Sequence, residues 1–272
     1  MQIAEIGLLG ATGPAGSALA ARLADVGYEV IVGSRSKYRA MEARDVIVDA
    51  WPDRDLRIEA ADNHGAASAE VVVIATPWNA AAETAASVAD QLHGKVVICM
   101  SNALSKVGRE FQPLVPPRGS VSASVQAEIR DAYIAAAFHH VPAKALADLE
   151  RDVESDILIC SDHPHATETV AAIVSRVPGL RPLDAGELSN ATAIEAFTAV
   201  LLQLNVRYRT RVAVRFTGIP DHAVAVSGGG HASGVAGSAA PVTAAPVDGT
   251  RHGDDDVDDG VGGGVGPDVA VT

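Results

Sequence analysis

Aromatic residues are scarce, at 4% of the 272 positions, and only two cysteines occur. Cys99 and Cys160 lie far apart and form no C-x-x-C pair. That excludes a disulfide scaffold and a dithiol redox motif, and it suits two small buried residues in a reducing cytoplasm. No run of 18 apolar residues occurs, so no membrane span is expected. No basic segment precedes the first apolar stretch, so no secretory signal is expected. Lys and Arg number 21 against 34 Asp and Glu, giving a net charge of −13, which argues against a general nucleic-acid binder. Catalytic motifs are also missing. Tyr28, Tyr38, Tyr133 and Tyr208 are followed four residues on by Val32, Glu42, Ala137 and Val212, so there is no Tyr–Lys proton relay. There is no G-x-S-x-G nucleophile elbow. The pairs His139-His140 and His163/His165 lack a cysteine partner or an H-E-x-x-H context, so no metal site is expected.

What is present organises around I-G-L-L-G-A-T-G-P-A-G, Ile6 to Gly16. A short apolar run turns through Gly10, Gly13 and Gly16 into a segment whose Ala15, Leu19, Ala20 and Leu23 recur at helical spacing. Pro14 suits a first helical turn, where a missing N–H costs nothing. Strand, glycine turn and helix start together make an anion site, because free N–H groups and the positive helix end face the turn. Thr12 sits inside that turn. On this stretch alone an ordinary tight turn remains open, since the spacing is G-x-x-G-x-x-G and Ala11 stands where the strict dinucleotide pattern begins.

The next residues add the second half of a nucleotide site. Tyr28 to Gly33 reads as a strand, with Gly27 as the preceding helix stop. It ends in Ser34-Arg35, at the position that faces the adenosine ribose in a dinucleotide fold. An acidic residue there selects NAD, and an Arg suits the 2′-phosphate of NADP. Ser34 offers a hydroxyl, Arg35 a planar guanidinium, and Lys37 and Arg39 further positive charge. The reading is NADP.

Further on, β and α signals alternate. Helices are expected over 36–49, 79–92 (capped by Asn79), 126–131, 166–177 and from Ser189 or Asn190 to about Arg207. Strands are expected over 56–60, 70–76, 95–100, 133–138 and 156–160, and 179–186 reads as a loop or short edge strand. This rhythm implies an α/β, Rossmann-like, doubly wound parallel sheet with a smaller C-terminal α/β part that ends in a long helix. Ligands in such sheets lie beyond the carboxyl ends of the strands. There Thr76, Pro77 and Trp78, with Ser101-Asn102, are expected to line the nicotinamide half of the groove. His139 ends a strand on the same side, either as a pocket residue or as a histidine bonded for structure. Ile194, Phe197, Leu201, Leu204 and Tyr208 form one helical stripe, read as packing in the core or on a second subunit.

The last 50 residues differ in kind. From Ala223 to Thr272 there are 12 of the 25 glycines, seven Asp, one Arg, and no Glu, Lys or aromatic residue. Such a composition buries too little apolar surface to order itself, so a disordered tail is expected. The expected organisation is therefore 1–132 for an NADP-binding Rossmann domain, 133–222 for a smaller part, and 223–272 for the tail.

An NADP groove without acid–base machinery suits direct hydride exchange between two cofactors, which carry the chemistry while the protein aligns them. The set G-A-T-G-P-A-G, V-G-S-R, A-T-P-W, H-H-V-P-A and G-L-R-P-L-D-A-G-E-L-S-N resembles the NADPH-dependent reductases of coenzyme F-420, an 8-hydroxy-5-deazaflavin, over about residues 1 to 217. The resemblance implies an enzyme that passes hydride between NADP and coenzyme F-420, in a homodimer. It implies that Thr12, Ser34, Arg35 and Arg39 hold NADP, beside the turn residues Gly10, Gly13, Pro14, Ala15 and Gly16 and the strand-end residues Thr76, Pro77 and Trp78 read above as cofactor-binding, and that His139, Val141, Pro142 and Ala143 border the deazaflavin. Ala11 and His140 depart from the family pattern. Two other functions stay open: an NADP-dependent reductase of a small imine or ketone, and a non-catalytic NADP(H) sensor.

Overall fold

The structure, a computed structural model, describes residues 3–220; the tail expected over 223–272 lies outside them. The chain runs β1 (Glu5–Leu9), α1 (Pro14–Asp25), β2 (Glu29–Ser34), α2 (Lys37–Ala50), β3 (Ile58–Asp62), α3 (Asn63–Ala66), β4 (Val71–Ile74), α4 (Trp78–Ala86), α5 (Ala89–Leu92) and β5 (Val96–Cys99). A hairpin follows, β6 (Leu104–Val107) and β7 (Glu110–Pro113). Then come α6 (Val121–Glu128), β8 (Tyr133–Ala136), α7 (Ala143–Leu146), β9 (Ser155–Ile159), α8 (Pro164–Ser175), β10 (Leu180–Asp184), a single 3-10 turn and α9 (Ala191–Tyr208).

Six strands form one parallel sheet in the order β3-β2-β1-β4-β5-β8. The order reverses between β1 and β4, so their carboxyl ends open the crevice where ligands of doubly wound sheets bind. Alternate residues of each strand feed opposite cores. Leu8, Val73 and Ile98 face one, with α1 and α8; Leu9, Ile74 and Cys99 face the other, with Ala81, Ala85 and Val125. A sheet covered on both faces needs near-continuous apolar strands, which is why β4 reads V-V-V-I. Glycine is required where helices press on the sheet: a Cβ at Gly7 or Gly33 would collide with Ala66.

Beyond β8 the chain forms a second, two-stranded parallel sheet of β9 and β10, joined to β8 by one antiparallel bridge, Ala136 to Cys160. Several expected boundaries shift. The helix expected over 126–131 is α6, starting at Val121, because Ser120 caps it by accepting from the Ala123 N–H at 2.9 Å. Asn79 does not cap α4; the helix begins at Trp78 behind Pro77. The segment 179–186 contains β10, paired strand to strand with β9.

Arg22 of α1 is 2% exposed, and its guanidinium donates to the carbonyls of Leu146 (3.0 Å), Ala145 (3.1 Å) and Arg151 (3.1 Å). Free carbonyls at a short helix's end need such partners. Burial lowers the pKa of Arg22, with Asp25, Asp148 and Asp152 opposing. The residue fixes α7 and the loop behind residues 139–143. None of the described helices is long and apolar enough to cross a membrane.

Candidate functional site

The glycine turn closes as its sequence demands. Gly10 has φ +70, in the left-handed region, and a Cβ there would strike the Thr76 methyl. Its N–H donates to Asn63 Oδ1 at 3.3 Å, and the Ala11 N–H to the Gly33 carbonyl at 3.1 Å. A Cβ at Gly16 would lie 2.7 Å from Ala11 Cα, so only glycine lets α1 pack this close to the turn. No side chain caps α1, whose N-cap is Gly13 and whose first residue is Pro14. The N–H groups of Ala15 and Gly16 therefore have no intrahelical partner, and with the helix end they make a cradle for an anionic group.

A groove of about 920 Å³ runs from this turn across the ends of β2 and β4, within the range of about 300–1,000 Å³ usual for ligand clefts. Gly10, Thr12, Gly13, Ser34, Arg35, Arg39, Thr76 and Pro77 all line it. Ser34 is buried, whereas Arg35 and Arg39 stand exposed. The donor set fits a phosphorylated dinucleotide: free amides at one end, guanidinium groups at the other.

A second cavity opens over β5 and β8 and shares Ala75 and Thr76 with the groove. Its floor is tied together by the strand ends. Ser101 Oγ donates to the Thr76 carbonyl at 2.7 Å; Asn102 Nδ2 donates to the His139 carbonyl at 2.9 Å, and Thr198 Oγ1 donates to the same carbonyl at 3.0 Å. Just before His139, Phe138 is buried with φ 64. A bulky residue there costs on the order of 1–3 kcal/mol and persists only where the surroundings hold it. The turn presents His139, His140 and Val141 to the cavity.

From the other side α9 supplies Thr198, Leu201, Leu202 and Asn205. It is held in place by Glu195, whose carboxylate accepts from the Val121 N–H (2.8 Å), the Ser122 N–H (3.1 Å) and Ser122 Oγ (2.8 Å). Burial raises the Glu195 pKa against these donors. After α9 the chain returns past the cavity, where Val212 donates its N–H to Asn205 Oδ1 at 2.6 Å. It is then pinned by Asp156. That carboxylate takes a two-pronged pair from Arg181, both contacts at 2.7 Å, and the Phe216 N–H at 2.6 Å. Burial pushes the Asp156 carboxyl up, but the Arg181 and Phe216 hydrogen bonds and the cationic neighbours outweigh it and hold the pKa below the usual value.

The two histidines are electrically quiet. Burial, with the neighbouring His140, pushes His139 down to about 3, although the carbonyls of Met100 and Ser101 favour its proton. Burial likewise lowers His140, opposed by Asp156. Both rings are neutral at pH 7 and have no proton to spare as acids. Burial also pushes the thiols of Cys99 and Cys160 up to about 12, so neither is a nucleophile. Among the described residues no group of three or more His, Cys, Asp and Glu could hold a metal.

Most residues singled out from the sequence thus lie together. Thr12, Arg35, Arg39, Thr76 and Pro77 share the groove; Ala15, Ser101, Asn102, His139, Val141, Pro142 and Ala143 line the cavity. Pro14 and Gly16 shape the turn without lining either space. Trp78, the first residue of α4, is half-buried against the core. Sequence reasoning missed Asn63, Thr198, Asn205 and Val212. The polar positions Thr198 and Asn205, inside an otherwise apolar helix, were the available signal. The α9 stripe divides: Ile194 and Leu201 are buried, Phe197 and Tyr208 exposed.

Fold and site together define a Rossmann-type dinucleotide-binding protein with a second, largely apolar cavity at the end of its groove. Residues 5–103 match the family described as NADP oxidoreductase coenzyme F420-dependent. The F-420-dependent NADP reductase of Methanothermobacter thermautotrophicus is 34% identical over 227 residues, covering 81% of this chain and 98% of its own. That of Methanocaldococcus jannaschii is 31% identical over 221 residues, covering 79% and 99%. A crystal structure from Arthrobacter sp. FB24, 22% identical, covers 79% of this chain and 100% of its own with a TM-score of 0.67, which shows a shared fold. The chain belongs to the family of F-420-dependent NADP reductases.

Proposed function

We propose that this protein is an oxidoreductase that transfers a hydride directly between NADP(H) and coenzyme F-420. The observation that carries this reading is the meeting of the two spaces over Ala75 and Thr76. A nicotinamide reaching the end of the groove and a flat ring in the cavity would face each other there. In the reducing direction NADPH gives a hydride to the deazaflavin, and one proton completes the reduced ring. The protein's work is alignment: hydride donor and acceptor must stack at roughly 3–3.5 Å, and most of the gain comes from holding them so. The amides of Ala15 and Gly16 cradle the pyrophosphate, Ser34, Arg35 and Arg39 take the 2′-phosphate, and Thr76 and Pro77 border the nicotinamide. His139, Val141, Pro142 and Ala143 wall the deazaflavin. No side chain is assigned as general acid; the proton comes from solvent.

In this reading residues 1–132 bind the nucleotide, and 133–222 complete the deazaflavin cavity. A homodimer is the proposed unit, supported by the apolar residues that α9 leaves exposed, Phe197, Val200 and Val206. The cytoplasm is the proposed location. The test mixes the purified protein with NADPH and the deazaflavin and follows visible absorbance. Bleaching is expected. NADPH consumption only with an imine or ketone, or binding without turnover, overturns the reading.

A further inference from the structure

His140 lines the cavity, and its chemistry is fixed by a residue outside it. Its Nε2 lies 2.6 Å from the backbone carbonyl of Asp156. A carbonyl oxygen only accepts, so Nε2 carries the proton. The ring is neutral, so Nδ1 carries none and is an obligate acceptor. Nδ1 is buried, in a residue 3% exposed, and has no hydrogen-bond partner. A buried acceptor left unsatisfied is costly. Asp156 cannot relax to release it. Its N–H donates to the Val214 carbonyl at 2.6 Å, and its carboxylate is held by Arg181, Arg215 and Phe216.

We propose that His140 is a specificity-determining residue whose Nδ1 accepts the imide N–H of the deazaflavin's pyrimidinedione ring, with Asp156 as the positioning residue that sets the tautomer. This rests on the deazaflavin reading above. The pyrimidinedione edge offers one N–H between two carbonyl oxygens, so an acceptor-only atom matches its centre and no other part of it. Phe138, Val141 and Leu201 line the same cavity, and their apolar surface suits the rest of a flat heteroaromatic ring. The nicotinamide carboxamide is another N–H source, but His140 lines the cavity and not the groove.

The experiment pairs His140→Phe and His140→Gln with a deazaflavin methylated at the imide nitrogen, in steady-state assays that vary each substrate. For His140→Phe the KM for the deazaflavin is expected to rise roughly five- to hundredfold, the range for a buried donor left unpaired, with the KM for NADPH within about twofold. Gln, which keeps an acceptor, is expected to recover part of the loss. The methylated substrate is expected to lose a similar factor on the wild-type protein and little more on His140→Phe, because both changes remove one bond. Melting curves check that the variants fold, and the methylated substrate tests the contact on unaltered protein. An unchanged deazaflavin KM, a rise in the NADPH KM instead, or full additivity of the two losses overturns the proposal. If wild type fails to bleach the deazaflavin at all, the functional reading has failed instead.

Discussion

Asn102 Nδ2 lies 2.9 Å from the carbonyl oxygen of His139, which ties the end of β5 to the turn after β8. The bond holds the backbone just beyond Phe138, whose φ of 64 aims the next three residues into the cavity. Thr198 Oγ1 donates to the same carbonyl at 3.0 Å and lies 3.2 Å from Asn102 Oδ1. A strained turn is thus clamped by two side chains from two other elements.

Removing one clamp should loosen the cavity before it unfolds the protein. Asn102→Ala is expected to cost about 0.5–1.5 kcal/mol, the net range for one hydrogen bond, since Thr198 still donates to the His139 carbonyl. The KM for the deazaflavin should rise more than that for NADPH. Denaturant unfolding and steady-state kinetics check the two parts. Equal changes in both KM values would show that the clamp does not serve the cavity.

Cofactor choice should depend on Arg35, exposed at the rim of the groove beside Ser34. A hydrogen bond to a charged group is worth roughly 1.5–3 kcal/mol. Arg35→Ala is therefore expected to weaken NADPH binding about ten- to hundredfold and NADH binding little. Fluorescence titration with both nucleotides distinguishes this from a general loss.

His139 should behave as a wall. A general acid contributes about 10²–10⁴-fold and imprints its own pKa on the rate, but this ring is held neutral down to about pH 3. His139→Ala should raise the deazaflavin KM, lower turnover moderately, and leave the pH–rate profile between pH 5 and 8 unchanged in shape. A thousandfold loss together with a vanished titration near neutrality overturns this.

The same two rings make the fold acid-sensitive. In the unfolded chain a histidine titrates near 6.5, whereas folded His139 titrates near 3. Between those values the unfolded state binds more protons, so stability falls as pH drops below about 6.5 and the loss is complete near pH 3. The slope per histidine is at most about 1.4 kcal/mol per pH unit. His140, shifted in the same direction, adds to it. His139→Gln should flatten the dependence of Tm on pH; an unchanged slope counts against the burial of this ring.

Asp156 and Arg181 are 0% and 8% exposed. Breaking a buried pair costs about 3–5 kcal/mol, because the remaining charge is stranded. Arg181→Met should fall near the lower end, since Arg215 and the Phe216 N–H still face Asp156. Adding Asp156→Asn should restore part of the loss. Chemical denaturation of the three variants measures it, and a double variant less stable than Arg181→Met would contradict the stranded charge.

The sequence by itself determined the elements whose cause is local. The glycine turn, the V-V-V-I strand and Pro14 at the head of α1 each follow from the φ, the spacing or the missing N–H of the residues themselves. Ser34-Arg35 and Thr76-Pro77 were legible because a parallel strand delivers its last residues to one edge of the sheet. What only the tertiary structure decided depends on contacts across long separations. Glu195 caps α6 from 74 residues away, and Arg22 caps the last residue of α7 from 124 residues away. His140 is made an acceptor by the carbonyl of Asp156 on β9. Hydropathy periods carry no information about such partners. A buried polar atom is satisfied by whichever chain the packing brings beside it, and so α9, read from its period as a packing helix, also proves to be a wall of the cavity.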